Sequence, residues 1–247
     1  MRLALLSDIH ANIQALDACL SHARARGARQ FAILGDLVGY GGDPVAVLSQ
    51  VQALMAQGAW VLKGNHDAMA VNPPAVASTL GESSAAWTHA QLDPAQRTFL
   101  DDLPLTLAVD NMLLVHASAD MPAQWHYVQD PVMASASLDA ALPMRHVFGG
   151  HVHFQTLYGR TDQSRPSRYG FTPGVPVPVP ATRQWLTTLG SVGQPRDGNA
   201  RAMYVVFDTD RLELTFERVE YDHVAAAAAV RRAGLPAFFA DRLQLGR

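Results

Sequence analysis

Cysteine is nearly absent from this chain of 247 residues, and with Cys19 alone no intramolecular disulfide can form. Such a composition suits a reducing compartment, where free thiols persist. Cys19 falls beside the apolar face of the first predicted helix, so we expect it to be a buried, structural thiol rather than a reactive one.

An excess of positive charge is also missing. The sequence has 19 lysines and arginines against 22 aspartates and glutamates, and its formal net charge is −3. Proteins that bind nucleic-acid polymers usually present a basic face. We therefore expect no nucleic-acid polymer among the partners of this chain.

Long apolar runs are missing at the amino terminus. The first run, Leu3–Leu6, is interrupted by Ser7 and Asp8, so it is too short for the hydrophobic region of a signal peptide or for a membrane span. We expect a soluble, cytoplasmic protein that does not bind membranes. Hydrophobic residues make up 49% of the chain, enough for a large core, and we expect a single domain over residues 1–247.

Apolar strands and amphipathic helices alternate in the first quarter of the chain. This β-α-β-α-β order predicts a parallel sheet with helices on its faces, that is, an α/β fold. The predicted strands are 3–6, 30–34 and 60–62, and the helices between them begin at Ile13 and Pro44. Further strands are predicted at 105–109, 112–115, 145–148, 155–158, 185–189, 202–208 and 211–218, with helices near 131–142, over 222–233 and from 236.

Two segments depart from this alternation. Residues 72–102 begin with two prolines and continue with two helical patterns, which predict a helical excursion that covers one end of the sheet. Residues 161–182 contain several prolines among small residues, which predicts an extended, polyproline-like excursion between two strands.

Polar residues of the kinds that bind metals follow the predicted strands. They are Asp8, His10, Asp36, Asn65, His66, His116, His151 and His153. Ligands bind α/β sheets at the carboxyl ends of the strands, and Asp8 and His10, two residues apart on an extended backbone, would point the same way. A capping aspartate and a surface histidine would explain that pair alone, but they do not explain five histidines at successive strand ends. Nitrogen and oxygen donors without a thiolate favour manganese, iron, zinc or nickel over a structural zinc site.

These residues form motifs that resemble those of the calcineurin-like metallophosphoesterases, in the order of that family. The motifs are Asp8-Ile9-His10, Gly35-Asp36, Gly64-Asn65-His66-Asp67, His116 and Gly150-His151-Val152-His153. The segments Ser7–Asn12, Gly35–Gly41 and Gly190–Arg196 are similar to the small bacterial and archaeal phosphoesterases, some of which are described as diadenosine tetraphosphate hydrolases. The resemblance implies a four-layer α/β/β/α sandwich of the metallophosphoesterase type.

The resemblance also implies two divalent or trivalent metal ions. One ion would take Asp8, His10 and His153, and the other would take Asn65, His116 and His151. Asp36 would bridge the two ions, and a metal-bridging hydroxide would attack the phosphorus atom. His66 would protonate the leaving oxygen, and Asp67 would orient the ring of His66.

Departures from the family motifs narrow the expected activity. Protein phosphatases of the superfamily have Asp-Arg-Gly where this chain has Leu37–Tyr40, and glutamate where it has Asp67, so we do not expect a protein phosphatase. The small phosphoesterases usually have Asn-Pro before the Gly-Ser pair, whereas this chain has Thr188-Leu189, which leaves the shape of that loop open.

The expected substrate is a small phosphoester or phosphoanhydride, such as a nucleotide or a dinucleoside polyphosphate. Arg196 is the candidate phosphate contact, because guanidinium pairs well with phosphate. Trp125 and Tyr127 are candidates for stacking on a base, with ordinary packing as the alternative.

We expect a metal-dependent phosphoric ester hydrolase; the alternative is a catalytically silent binding or scaffold protein with the same fold. The presence of His66 and of all seven ligand positions favours the enzyme. Oligomeric state is left open.

Overall fold

The computed structural model describes residues 1–162 and 164–247, which form twelve strands and eight α-helices. The strands are β1 (Arg2–Leu6), β2 (Gln30–Ile33), β3 (Trp60–Val61), β4 (Thr106–Val109), β5 (Met112–Val115), β6 (His146–Gly149), β7 (Gln155–Arg160), β8 (Ser167–Tyr169), β9 (Val177–Pro178), β10 (Gln184–Leu189), β11 (Ala202–Asp208) and β12 (Glu213–Val219). The helices are α1 (Ile13–Ala25), α2 (Pro44–Ala56), α3 (Asn65–Val71), α4 (Leu80–Gln91), α5 (Pro94–Asp102), α6 (Pro131–Ala140), α7 (His223–Arg232) and α8 (Ala237–Leu245).

The first sheet has the strand order β3-β2-β1-β11-β12-β9. Strands β1, β2 and β3 are parallel, as the crossover helices α1 and α2 require, and the other neighbours are antiparallel. In β1, the residues Leu3–Leu6 are fully buried. This agrees with a continuous apolar run in a strand that is covered on both faces.

The second sheet has the order β4-β5-β6-β10-β7-β8. Strands β5, β6 and β10 are parallel, and the predicted hairpin of β4 and β5 is confirmed by their antiparallel register. Asp110 lies in the turn of this hairpin with a φ of 50°, a left-handed conformation that aspartate adopts more readily than most residues.

The two sheets share an apolar core, which explains the four layers. Leu5 of β1 and Phe207 of β11 pack in the same cluster as Phe148 of β6 and Leu157 of β7. On the outer faces, α1 and α2 cover the first sheet and α6 covers the second. The predicted α/β/β/α sandwich is therefore confirmed.

The helical excursion over residues 72–102 contains α4 and α5, as predicted. Each begins with a capping box, Thr79 with Glu82 and Asp93 with Gln96. Helix α3 was not predicted. It begins at Asn65, separated by three residues from the end of the short strand β3, where we expected only a polar strand end. Its seven residues are too few to show a helical apolar pattern.

The proline-rich excursion is more structured than predicted, although residue 163 lies outside the described residues. Strand β8 pairs with β7 at the edge of the second sheet, and β9 pairs with β12 at the edge of the first. Between these strands, Phe171 stacks on Phe216, with ring centroids 3.7 Å apart. The segment therefore crosses from one sheet to the other at one side of the sandwich.

Among the helices of the described residues, none combines the length and the apolar character that a membrane crossing would need.

Candidate metal centre

The loops after β1, β2, β5 and β6 meet at one edge of the sandwich and bring together two groups of buried side chains. The first group is Asp8, His10 and His153, and the second is Asp36, His116 and His151. Within each group the ligand atoms lie within 4.8 Å of one another. The remaining predicted ligand, Asn65, places its Oδ1 atom 3.2 Å from Nε2 of His116. The structure thus brings all seven predicted ligand positions to one site.

Tight turns, not extended strand ends, aim these side chains. Strand β1 ends at Leu6, and the φ angles of Asp8 and His10 are 55° and 49°, so the expected extended backbone is wrong. The two side chains nevertheless point to the same group, as predicted, with Nε2 of His10 3.9 Å from Oδ1 of Asp8. Asp36, His151 and His153 also have positive φ, between 52° and 67°. A non-glycine residue in this region costs of the order of 1–3 kcal/mol, and such strain clusters at functional sites.

Two glycines of the motifs allow the loops to approach this closely. A Cβ atom on Gly64 would lie 2.2 Å from Oδ1 of Asp36, and a Cβ atom on Gly150 would lie 1.9 Å from Oγ of Ser7. Both distances are far shorter than a van der Waals contact. The glycines are therefore required by the packing of the loops around the carboxylates.

Backbone carbonyls fix the orientation of three histidines. Nδ1 of His10, His116 and His153 lies 3.2, 2.6 and 2.6 Å from the carbonyl oxygens of Val38, Leu34 and Gln194. A carbonyl oxygen can only accept, so in each ring Nδ1–H donates. In a neutral ring the lone pair is then on Nε2, which points into the site, as in metal-binding histidines.

The resulting arrangement of acceptors fits a cation. Nε2 of His10 lies 3.1 Å from Nε2 of His153, which itself lies 3.2 Å from Oδ1 of Asp8. Three acceptors this close repel one another unless a proton or a metal ion lies between them. In the second group, Nε2 of His151 is buried without a hydrogen-bond partner, which is rare for a buried polar atom.

Asp36 lies between the two groups. Its Oδ1 atom accepts a hydrogen bond from the backbone N–H of His66 at 2.8 Å. Its Oδ2 atom lies 3.7 Å from Nε2 of His10 in the first group and 3.5 Å from Nε2 of His116 in the second. This carboxylate can therefore contact a cation in either group.

The electrostatics of the two groups favour ionised carboxylates at Asp8 and Asp36, whose pKa values are both lowered. Burial alone would raise the pKa of Asp8, but the neighbouring imidazoles, chiefly that of His153 together with that of His116, hold that pKa below its usual value. Burial would lower the pKa of His116, but the carboxylate of Asp36 raises it to about 9. Burial and the neighbouring His116 lower the pKa of His151 to about 4. A metal ion would compete with the proton on His116, because a histidine ligand must be deprotonated.

His66 lies in the first turn of α3, beside both groups but in neither. Its ring centroid is 4.3 Å from that of Tyr40 and 5.1 Å from that of His10. Nδ1 of His66 is buried without a partner and would lie 2.9 Å from a Cβ atom on Gly39. Burial lowers the pKa of this ring. Nε2 is thus the nitrogen available to a ligand.

Asp67 does not orient the ring of His66, and that expectation is wrong. Its Oδ1 atom accepts hydrogen bonds from the backbone N–H groups of Leu37 and Val38 at 2.8 and 3.2 Å. Its Oδ2 atom accepts from the N–H of Gly64 at 2.9 Å. Both oxygens are used by the backbone, so Asp67 joins the loop after β2 to the start of α3.

The two candidate aromatic residues contact histidines of the second group. The ring of Tyr127 stacks on that of His151 with centroids 4.0 Å apart, and the residue is 49% exposed. The ring of Trp125 lies 5.8 Å from that of His116, edge to face. Both residues are therefore at the mouth of the site.

Arg196 lies on the opposite side, next to Tyr40. Its guanidinium carbon is 5.9 Å from the centroid of the Tyr40 ring, and Nη2 donates to Oε1 of Gln194 at 2.9 Å. Tyr40 was not identified from the sequence as a site residue, although it lies in the segment Gly35–Gly41 that carries the resemblance. No local sequence signal indicates its contact with His66, which depends on the packing of α3 against the loop.

Comparisons with known proteins agree with this geometry. Residues 1–212 match the model of the calcineurin-like phosphoesterase superfamily domain. A metallophosphoesterase from Sphaerobacter thermophilus is 31% identical, with a TM-score of 0.86 over 100% of this chain and 99% of that chain. An uncharacterized protein of Methanocaldococcus jannaschii is 29% identical over 99% of this chain and 98% of its own length. A hypothetical protein of Pyrococcus horikoshii shares the fold, with 19% identity, a TM-score of 0.78 and coverage of 100% of this chain and 98% of that chain.

Proposed function

Because the chain belongs to the calcineurin-like phosphoesterase superfamily, we propose that it is a metal-dependent hydrolase of a small phosphoester or phosphoanhydride. The observation that carries the proposal is the position of Asp36 between two buried groups of metal-binding type. A single cation would not need two such groups that share one carboxylate.

We assign the residues of the site as follows. Asp8, His10 and His153 would hold one ion, Asn65, His116 and His151 would hold the other, and Asp36 would contact both. Oxygen and imidazole donors of this kind suit manganese, iron, zinc or nickel. When bound, two such ions supply a water of lowered pKa as nucleophile and polarise the phosphoryl group.

His66 would act as the general acid. Hydrolysis adds the oxygen of water to phosphorus and breaks the bond from phosphorus to the leaving oxygen, which must receive a proton. Nε2 of His66 is the ring nitrogen available for that transfer. A phosphate anion beside the ring would raise the pKa of His66 and so oppose the effect of burial.

The main test compares metal content and turnover. Chelated protein is reloaded with Mn²⁺, its metals are measured by mass spectrometry, and hydrolysis of p-nitrophenyl phosphate and of its bis ester is followed. We expect about two ions per chain and turnover of at least one ester. Asp36→Ala should lose both ions or bind them much more weakly, whereas His223→Gln, outside the site, should match the parent. Two bound ions without hydrolysis of either ester would favour a catalytically silent binding or scaffold protein.

We further propose that Trp125 and Tyr127 hold the base of a nucleotide-type substrate, such as a dinucleoside polyphosphate. Stacking on an aromatic ring is worth about 1–3 kcal/mol per base in proteins that bind single strands. With both residues replaced by alanine, kcat/KM for the nucleotide should fall at least about fivefold relative to kcat/KM for p-nitrophenyl phosphate. An equal change on both substrates would identify the rings as packing only.

A further inference from the structure

Two arginines from distant parts of the chain lie near one another beside the candidate metal centre. Arg196 follows β10, and Arg242 lies in the last turn of α8. Phe239, one turn before Arg242, packs on Tyr40 with ring centroids 5.0 Å apart, and Arg196 lies over the same tyrosine ring. Both guanidinium charges act on the Tyr40 hydroxyl. Burial and the charge of Arg196 together lower the pKa of Arg242 to about 10.

Neither arginine is neutralised by an acidic side chain. Among the described residues, no aspartate or glutamate oxygen lies within 4.0 Å of Arg196 or Arg242. The nearest acidic residues in sequence are paired with other arginines, Asp197 with Arg218 and Asp241 with Arg231. Two partly buried like charges therefore face the same tyrosine without an acidic side chain to pair with either of them.

The remaining contacts of the two guanidinium groups are to a side-chain amide and to the terminal oxygen of the chain. Arg196 donates to the side-chain amide of Gln194, while its Nε atom is buried without a partner. Arg242 donates from Nε to the terminal oxygen of Arg247, whose carboxylate offsets part of the Arg242 charge but does not contact Arg196. The guanidinium carbon of Arg242 lies over Phe238, 5.1 Å from the ring centroid. The dipole of α8 favours a cation at the position of Arg242. The dipole does not offset the repulsion between Arg242 and a second cation beside it. A bound anion would offset that repulsion.

We propose that Arg196 and Arg242 form an anion subsite next to His66, which binds a further phosphate group of the substrate. The inference rests on the proposed phosphoester hydrolysis and narrows its substrate class. Tyr40 connects the two regions, because its ring contacts that of His66 and lies under the guanidinium group of Arg196. The substrate class that fits is a phosphoanhydride or polyphosphate, in which a second phosphate follows the scissile one. A monoester with one phosphate would leave the subsite empty.

The first experiment measures anion binding without metal, so that it does not depend on turnover. Inorganic triphosphate is titrated into chelated protein by calorimetry, with Arg196→Gln, Arg242→Gln and, as the control, Arg168→Gln. Arg168 is an exposed residue of β8 that carries the same charge. We expect each subsite variant to weaken triphosphate binding at least tenfold, the loss of about one charge-assisted contact, and the control to bind like the parent. Equal affinities in all four proteins would overturn the proposal.

The second experiment measures substrate preference in Mn²⁺-loaded protein. The ratio of kcat/KM for adenosine triphosphate to kcat/KM for p-nitrophenyl phosphate should fall at least about tenfold in each subsite variant. The ratio should stay at the parental value in Arg168→Gln, and Arg242→Lys should restore part of it. A parental ratio in Arg196→Gln and Arg242→Gln would show that these arginines have a structural role only.

The outcomes separate this inference from the proposed function. If the protein hydrolyses nitrophenyl esters but the arginine variants bind triphosphate as well as the parent does, the function is supported and the subsite is overturned. Arginine-dependent binding by a Mn²⁺-loaded chain that hydrolyses neither the nitrophenyl esters nor adenosine triphosphate would support the subsite and contradict the function. Thermal unfolding of each variant identifies any that does not fold. If Arg242→Gln does not fold, the triphosphate affinity of Arg196→Gln alone tests the proposal.

Discussion

At the scale of single residues, His66 and Asp67 are neighbours in sequence with separate tasks. Asp67 uses both oxygens on backbone N–H groups. The ring of His66 is held by packing against Tyr40 and Gly39. The backbone N–H of His66 donates to Asp36, and its ring lies edge to face with that of His10 without being placed as a ligand. Replacing the side chain of His66 should therefore affect turnover, whereas replacing that of Asp67 should affect the stability of the fold.

His66→Ala should retain its metals and lose turnover on esters with poor leaving groups. General acid catalysis typically contributes about 10²–10⁴-fold, and a nitrophenyl leaving group needs little protonation, so its hydrolysis should fall less. Metal content and the kcat values on an alkyl phosphate and on p-nitrophenyl phosphate check this. Equal losses on both esters, or loss of metal, would contradict the role of His66.

Asp67→Asn should destabilise the fold. The amide nitrogen of asparagine cannot accept a hydrogen bond, so one or more of the three buried N–H groups would lose its acceptor. Leaving such a group unsatisfied costs about 1–3 kcal/mol. Urea unfolding should show a decrease of that size in the free energy of unfolding. Asp102→Asn, at an exposed position of α5, should change it by less than about 0.5 kcal/mol. An unchanged stability of Asp67→Asn would refute this role of the carboxylate.

At the scale of secondary-structure elements, β6 is joined to the proline-rich segment by a buried histidine. Nε2 of His146 donates to the carbonyl of Val179 at 2.8 Å, and the ring packs 5.0 Å from that of Phe207. Burial lowers the pKa of His146 below its ordinary value of 6.5. The folded protein therefore holds this ring neutral at a pH where the unfolded chain protonates it.

This difference predicts a loss of stability in mild acid. Below pH 6.5 and down to the lowered pKa, the unfolded state binds more protons than the folded state at His146, so the free energy of unfolding falls as pH falls. Above pH 6.5 the contribution is fully present. In metal-free protein, His146→Gln should lose less stability than the parent between pH 7.5 and 5.5 in urea unfolding, while His223→Gln should follow the parent. Parallel pH profiles for all three proteins would contradict the prediction.

The elements also differ in how far the sequence predicted them. Strands β1, β2 and β11 have continuous apolar runs, and helices α1 and α2 have clear periodicity, so local patterns sufficed to predict these elements. Helix α3 and strands β8 and β9 are seven residues or fewer. Segments this short gain their stability from long-range contacts that local sequence does not reveal.

At the scale of the whole molecule, metal binding should couple to folding. The six buried carboxylate and imidazole side chains come from four separate loops, so the unfolded chain has no comparable site. A ligand that binds only the folded state raises its stability by about 2.7 kcal/mol per site when its concentration is 100 times Kd. Chelation should therefore lower the midpoint of thermal unfolding, and Mn²⁺ should restore it in the parent but not in Asp36→Ala. An unchanged midpoint after chelation would contradict strong metal binding.

The local order of residues in the sequence determined the kind of fold and the candidate ligands. Apolar runs that end in carboxylates, amides and imidazoles predict strands whose carboxyl ends carry a site, because those patterns concern neighbours in the chain. Tertiary structure alone decided the rest. Asp67 serves the backbone instead of His66, Asp36 lies between two groups, and Arg242 reaches Arg196 from the last helix. These relations depend on how loops and helices pack between residues that are distant in the chain, and at such separations the sequence spacing carries no distance information.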